Sequence, residues 1–514
     1  MGLFVISGCV WGVLHRDMGY PFLFEVNARH WIAGLRARLG RGIDLGSVPE
    51  GEIDRWVGYG VTHIWLMGVW PTGPVSRGEA LRHDGLVASY HEALPDWQEG
   101  DVMGSPYAVE SVRVDEFLGG DLGLERFRKR LNQRGVSLVL DFVPNHLGRD
   151  HAWLKTHPER FVGASEAFEG SFRVETATGD RFLAYGKDPF FAGWTDTVQV
   201  EYRSREAREA MLGILEAIAG RCDGVRCDMA MLVLSDVFAR TWGHLPYEGL
   251  CAEGEFWEVA IERVRKRKPG FLFLAEAYWG MEERLSAAGF DYAYDKTLYD
   301  RLVHDDAAGA VAHILGMGGM NARRAHFLEN HDEPRAAGLI GLERLKSALL
   351  MSFGLPGMRF LHDGQVEGFR RFARIQLGRR AEEETDSRRV GIYREMFLAL
   401  GESLIGNSRA QVLAATPAWE GNESYRATVI VLWGEGERRD LVVVNLASHE
   451  AQCRVSLDLS NGMWVLRDRL GDEVWERSGR EMRFEGLYLG LSPRKAQIFA
   501  LERTSGCGTG MGDD

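Results

Sequence analysis

Eight short apolar runs, separated by longer amphipathic stretches, limit what this chain can become more than any other feature. The runs lie at residues 22–26, 63–67, 137–142, 225–228, 271–276, 290–294, 324–329 and 358–361. Stretches with helical spacing, at 123–134, 205–221, 256–268 and 342–353, fall between them. A strand covered on both faces is apolar throughout, so strand–helix alternation of this kind predicts βα units around a parallel sheet. Eight units predict an α/β fold, a closed (β/α)8 TIM barrel with its site at the C-terminal ends of the strands. An open doubly wound sheet is the competing architecture, but no G-x-G-x-x-G turn opens the first unit.

At 514 residues the chain exceeds one typical core, and its pattern divides it. The barrel is expected over 20–146 and 201–400, with an insertion domain at 147–200 after the third strand. A second irregular insertion, 70–104, follows the second strand; loops this long serve as lids or small subdomains. Beyond residue 400, short strands at 427–433, 440–445, 452–457, 463–468 and 496–501 predict a C-terminal antiparallel β-sandwich over 401–502. Residues 1–19 read as a packed N-terminal extension, because their apolar part lacks a basic n-region and a small-residue cleavage site. The Gly-rich end, 503–514, reads as a disordered tail, and the mixed charge run at 378–389 as a solvated loop.

A formal charge of −13 argues against a nucleic-acid partner, which wants concentrated Lys and Arg. No segment reaches transmembrane length, so no membrane partner is expected. A neutral, hydroxyl-rich ligand fits better, with 15 Trp and 14 Tyr to supply stacking faces. The six Cys show no C-x-x-C spacing, and Cys222 and Cys227 flank one strand at an odd separation that points them to opposite sides. Reduced thiols in a cytoplasmic protein are the expectation.

Three carboxylates each end an apolar run: Asp228 after Gly224-Val225-Arg226-Cys227, Glu276 after Phe271-Leu272-Phe273-Leu274-Ala275, and Asp332 after Phe327-Leu328-Glu329-Asn330-His331. A carboxylate at the end of a rigid strand reaches open space where a ligand can sit. Arg226 precedes Asp228 by two and so shares its face, where a guanidinium favours the ionised carboxylate. Glu276 ends an almost wholly apolar strand, where desolvation favours the protonated acid. A charged carboxylate beside a protonated one is the pair that retaining glycoside cleavage needs. His146 and His331, each at a strand end next to an Asn, are candidate donors to ligand hydroxyls.

These motifs resemble those of the α-amylase superfamily of retaining glycoside hydrolases and transglycosidases. Asp141-Phe142-Val143-Pro144-Asn145-His146 is similar to that family's first signature, Gly224–Asp228 to the second, Ala275-Glu276 to the third and Phe327–Asp332 to the fourth. Gly354-Leu355-Pro356-Gly357 fits its turn before the eighth strand. The resemblance implies cleavage of α-glucosidic bonds, with Asp228 as nucleophile, Glu276 as acid/base and Asp332 binding the hydroxyls of the distorted ring. It implies that His146, Arg226 and His331 line the same subsite, supported by Asp141. The substrate implied is a malto-oligosaccharide or α-glucan, and transglycosylation through the same intermediate is the alternative. A non-catalytic carbohydrate-binding homologue is more remote, since all three carboxylates stand.

The departures are specific. Met231 and Leu232 replace the Lys-His pair that touches the acceptor, which predicts an apolar-walled leaving-group side suited to short chains. The family's Gly-Tyr pair reads Gly104-Ser105-Pro106-Tyr107 here, leaving Tyr107 as the candidate stacking residue; the segment is similar to maltosyltransferase-type relatives. Trp279, three residues beyond the acid, is a further candidate for substrate contact. Gln199 stands where a calcium-binding Asp is common, so no metal or other cofactor is expected.

Overall fold

The structure, a computed structural model, describes residues 19–40, 42–176 and 179–504. Apart from residues 19, 503 and 504, the expected N-terminal extension and C-terminal tail lie outside the described residues. Strands β1 (Phe22–Asn27), β2 (His63–Met67), β3 (Ser137–Phe142), β4 (Gly224–Cys227), β5 (Leu272–Ala275), β6 (Tyr292–Tyr294), β7 (Arg324–His326) and β8 (Met358–His362) form a closed barrel. Every pairing is parallel, and β1 closes the ring against β8. The strands are buried almost throughout, because helices cover the outer face while side chains fill the inside. β6 and β7 are shorter than their apolar runs, and the chain past His326 leaves the ladder to carry the site.

Helices follow the strands as parallel crossovers require. The first, Ala28–Leu39, starts at Asn27, whose side chain accepts from the N–H groups of Arg29 and His30. The insertion after β2 is not irregular. It holds helices Pro74–Arg82 and Asp84–Ala93 around a small core of Ala80, Tyr90, Leu94, Val102 and Leu377. Leu377 comes from the far side of β8, and the charge run beyond it is tied down too: Arg379 pairs with Asp101 at 2.8 Å and Arg380 with Asp363 at 2.7 Å. The expected solvated loop is thus a strap across the mouth of the barrel.

After β3, strand His146–Gly148 pairs with Thr197–Gln199, and a three-stranded antiparallel sheet of Gly163–Ala164, Ser171–Thr176 and Gly179–Ala184 stands between them in sequence. Beyond Gly401 come two antiparallel sheets, of six and three strands. Ile430, Leu441, Cys453, Leu489 and Phe499 fill the space between the sheets. Alternate residues, Val429, Val431, Trp433 and Val442, join the barrel's own core, and Trp433 Nε1 donates to the Gly354 carbonyl at 3.0 Å. Cys222, Cys227 and Cys453 are buried free thiols. No helix among the described residues is long and apolar enough to cross a membrane.

Gly357 opens β8 with φ at 132°, and a Cβ there would lie 2.5 Å from the Arg324 carbonyl oxygen and 2.7 Å from that of Asn321. Both contacts are backbone and cannot swing aside. Gly357→Ala is therefore expected to cost about 2–4 kcal/mol, read as a lower denaturant midpoint.

Candidate active site

Arg226 is the hub of the upper barrel. It stands opposite Asp141 in the β3–β4 register, and none of its side chain is exposed. Its Nη1 donates to Asp228 Oδ1 at 2.7 Å and lies 3.5 Å from Asp141 Oδ1. Its Nη2 lies 2.8 Å from Glu276 Oε2, and its Nε donates to the Tyr294 hydroxyl at 3.2 Å. The guanidinium also lies over the rings of Trp65 and Tyr107, 5.0 and 5.2 Å from their centroids. Burial disfavours its charge, but Glu276 and the groups around it hold its proton more tightly than usual.

Glu276 follows β5 directly. Met229 N–H donates to its Oε2 at 2.6 Å and the Tyr278 hydroxyl to its Oε1 at 2.9 Å. With Oε2 taken by the amide and the guanidinium, a proton on Glu276 belongs on Oε1, whose other lone pair accepts the Tyr278 hydroxyl. Met229 aims its N–H from a left-handed conformation, φ 42°, which a non-glycine residue adopts only when its surroundings impose it. Burial pushes the Glu276 carboxyl up to about 7; Arg226 opposes this, and the like charges of Asp228 and Asp332 add to it. Burial likewise pushes Asp141 up to about 6 against the pull of Arg226.

Across the cleft, His331 Nδ1 donates to Glu25 Oε1 at 2.5 Å, while its Nε2 lies 3.0 Å from Asp332 Oδ2 and 2.8 Å from the Tyr107 hydroxyl. Asp332 is the accessible member, its side chain 40% exposed toward solvent. His146 is buried, beside Asn145 and 5.0 Å from the Trp194 ring. The fold thus gathers Asp141, Arg226, Asp228, Glu276, Tyr107, His331 and Asp332 into one contiguous network. Trp279 stands apart on the rim, where its ring meets Phe190 edge-on at 4.8 Å.

One expectation about the walls is overturned. Met231 and Leu232 do not present an open wall: they are buried in the short helical turn Ala230–Val233 and belong to the main hydrophobic core. Exposed apolar surface is presented instead by Trp279, three residues beyond Glu276, with Phe190 against its ring and Phe191 next in the chain; they are 40%, 67% and 72% exposed. Phe190 and Phe191 come from the insertion after β3, where the Asp188 carboxylate accepts from both their N–H groups. Sequence reasoning missed them, along with Glu25, Trp65 and Tyr294. For Glu25 the signal was present, as a lone carboxylate in the otherwise apolar run Phe22-Leu23-Phe24-Glu25-Val26.

No protein-family model matches the chain. The α-amylase MalA of Haloarcula japonica is 26% identical over 284 residues, spanning 52% of this chain and 38% of the relative. The α-1,4-glucan:maltose-1-phosphate maltosyltransferase of Pseudomonas aeruginosa is 30% identical over 199 residues, 37% of this chain and 25% of the relative. Among solved structures, the noncanonic maltogenic α-amylase AmyB from Thermotoga neapolitana superposes with a TM-score of 0.66 at 19% identity, covering 94% of this chain and 99% of the other. The chain is similar in sequence to members of the α-amylase superfamily and shares their fold. It spans well under half the length of the two curated relatives.

The calcium ion common among α-amylases does not fit the residues present. Gln199 Nε2 donates to Asn145 O at 2.8 Å, to Asn145 Oδ1 at 3.0 Å and to Val200 O at 3.3 Å. Three oxygens that a hard cation would want already converge on an amide nitrogen, whose hydrogens would repel the ion. Chelation with EDTA is expected to move the melting temperature by less than about 1 °C, since a ligand that does not bind the native state cannot stabilise it.

The Glu276 network makes a second prediction. A 13C-NMR titration of the Glu276 carboxyl should give a midpoint near 7. Asp228→Asn should move that midpoint down by about one unit, because it removes a like charge on the same guanidinium.

Proposed function

We propose that the protein is a retaining glycosidase that cleaves α-glucosidic bonds, α-1,4 bonds foremost, in malto-oligosaccharides or α-glucans. The observation that carries this reading is the sharing of one buried guanidinium by Asp228 and Glu276, at 2.7 and 2.8 Å. Sharing draws the two carboxyl groups together, as the separation of about 5–5.5 Å in retaining enzymes requires. Burial, against the pull of Arg226, inclines Glu276 to hold a proton.

Asp228 attacks the anomeric carbon while Glu276 gives its proton to the leaving oxygen. The ester so formed no longer carries the Asp228 charge, so one of the influences raising the Glu276 pKa disappears. Glu276 is then better suited, as a carboxylate, to take the proton of the incoming hydroxyl. Asp332 and His331 bind the ring hydroxyls, His146 borders the same subsite, Tyr107 offers its ring, and Asp141 steadies Arg226.

The incoming hydroxyl belongs to water in a hydrolase and to a second sugar in a transglycosidase. The exposed pair Trp279 and Phe190 favours giving the second reading weight, because an aromatic platform near the acid/base can hold an acceptor ring while water is displaced. The strap formed by Arg379 and Arg380 and the helical insertion after β2 narrow the opposite side, which suits chains of a few sugars over polymeric starch. The buried free thiols fit a cytoplasmic setting.

Maltoheptaose, incubated with and without a labelled maltose acceptor, distinguishes these outcomes. Shorter sugars released first as α anomers support the glycosidase, and label in longer products supports transfer. Initial β anomers would rule out the double displacement. Asp228→Asn should lower kcat by at least about 10⁴-fold with the fold intact, since an amide cannot form the ester.

A further inference from the structure

Glu25 is a carboxylate in the interior of the barrel, on β1, with none of its surface exposed. In register it stands between Trp65 of β2 and His362 of β8. Its Oε1 takes the Nδ1–H of His331 at 2.5 Å, and its Oε2 finds no hydrogen bond among the described residues. A buried carboxylate is costly unless a cation compensates it, and among the described residues His331 is the one cation it touches. The other nitrogen of that ring faces a second carboxylate, Asp332, at 3.0 Å. An imidazole between two carboxylates serves both only with a hydrogen on each nitrogen.

We propose that Glu25 is a positioning residue that acts through His331 on Asp332, fixing the ring as an imidazolium so that the ring-hydroxyl side of the cleft keeps a permanent cation. This rests on the glycosidase reading above. Apart from Asp332 itself, the surrounding groups leave Glu25 as the anion that holds the ring's charge. Tyr107 and the edge of Trp65 flank the ring, and Asp141 of β3 lies within reach of its charge. A small cavity on the far side is lined by His30, Arg335, His362, Asp363 and Arg380. Arg335 is neutralised by Glu329 at 2.6 Å and Arg380 by Asp363 at 2.7 Å, while His362 lies against Glu329 at 3.0 Å. Burial, helped by Arg380 and Arg335, pushes His30 down to about 3, so it adds no charge. His331 itself is held well above the usual imidazole range: burial works against it, but Asp332 and Glu25 prevail. Its proton therefore stays through neutral pH and leaves only as the pH rises well beyond it.

The test is Glu25→Gln in the full chain, with Glu25→Asp as the charge-conserving control. In 15N-histidine-labelled protein, the His331 signals, identified by their loss in His331→Asn, should report two protonated nitrogens up to about pH 8 in the native enzyme, against about 6.5 for an ordinary histidine. In Glu25→Gln they should titrate at or below about 6.5, and in Glu25→Asp they should return toward native behaviour. The kcat/KM of Glu25→Gln should stay within about threefold of native at pH 5.5 and fall at least about tenfold at pH 7.5. A His331 that stays charged in Glu25→Gln, or a loss of activity equal at every pH, would overturn the proposal. If Glu25→Gln does not fold, Glu25→Gln/His331→Asn is compared with His331→Asn alone. Equal kcat/KM within about twofold is expected if Glu25 acts through the ring, and a further tenfold loss would count against it. A native enzyme without α-glucoside turnover would refute the glycosidase reading instead, while the NMR titration would still report on the Glu25–His331 link.

Discussion

One buried positive charge organises the upper half of the barrel. Arg226 has no solvent of its own, so every group around it has to answer for its charge. Asp141 comes from the strand beside it, Asp228 from two residues on, and Glu276 from the end of the next strand. Aromatic faces of Trp65, Tyr107 and Tyr294 close the remaining directions. Removing any one acid would leave the guanidinium under-compensated, which is far more costly in a protein interior than at its surface. The three carboxylates are therefore coupled through their common partner, and the proton affinity of one is a function of the state of the others.

The site has two such centres. Around Arg226 one fixed cation gathers three carboxylates, and burial works against its pull on two of them, Asp141 and Glu276. Around His331 two carboxylates, Glu25 and Asp332, hold a titratable cation in one state. Tyr107 touches both, since its ring lies under the guanidinium and its hydroxyl reaches His331. The loops around the centres contribute surface of a different kind. Phe190 and Phe191 are presented by a turn that Asp188 locks through two backbone N–H groups, so exposed rings sit on an ordered support. Gln199 ties Asn145 to the end of the insertion through its own side-chain amide.

Much of this was legible in the chain, because the features that carried it are local. A fully buried parallel strand writes a continuous apolar run, and a carboxylate at its end breaks that run, so the barrel and the placing of Asp228, Glu276 and Asp332 beyond its strand ends could be read without coordinates. The helices at 74–93 could not, since their few buried residues, such as Ala80 and Ala93, leave no strong apolar stripe. Short strands such as Ala410–Leu413, Thr416–Pro417 and Leu487–Leu491 were missed for a similar reason: each draws its stability from neighbours across the sheet more than from its own composition. Met231 and Leu232 were assigned to a wall because a motif gives position along the chain but not which way a turn faces. Glu25 was passed over because its meaning depends on a partner 306 residues away.

That separation has a consequence for how the site comes into being. β1 is the first strand of the barrel, and His331 follows the seventh, so the two can meet only when the ring is nearly complete. The same holds for the strap, where Arg379, beyond the last strand, grips Asp101 in the insertion after the second. Until then Glu25 would sit in an apolar strand without its counter-ion, and the opening would lack one side. Contacts that bridge such a length of chain form late, because the entropy of closing the loop must be met before they contribute. A partly folded or nascent chain can therefore have most of its strands and the Arg226 cluster assembled and still lack a working cleft. Closure of β1 against β8 is the step that completes the cleft.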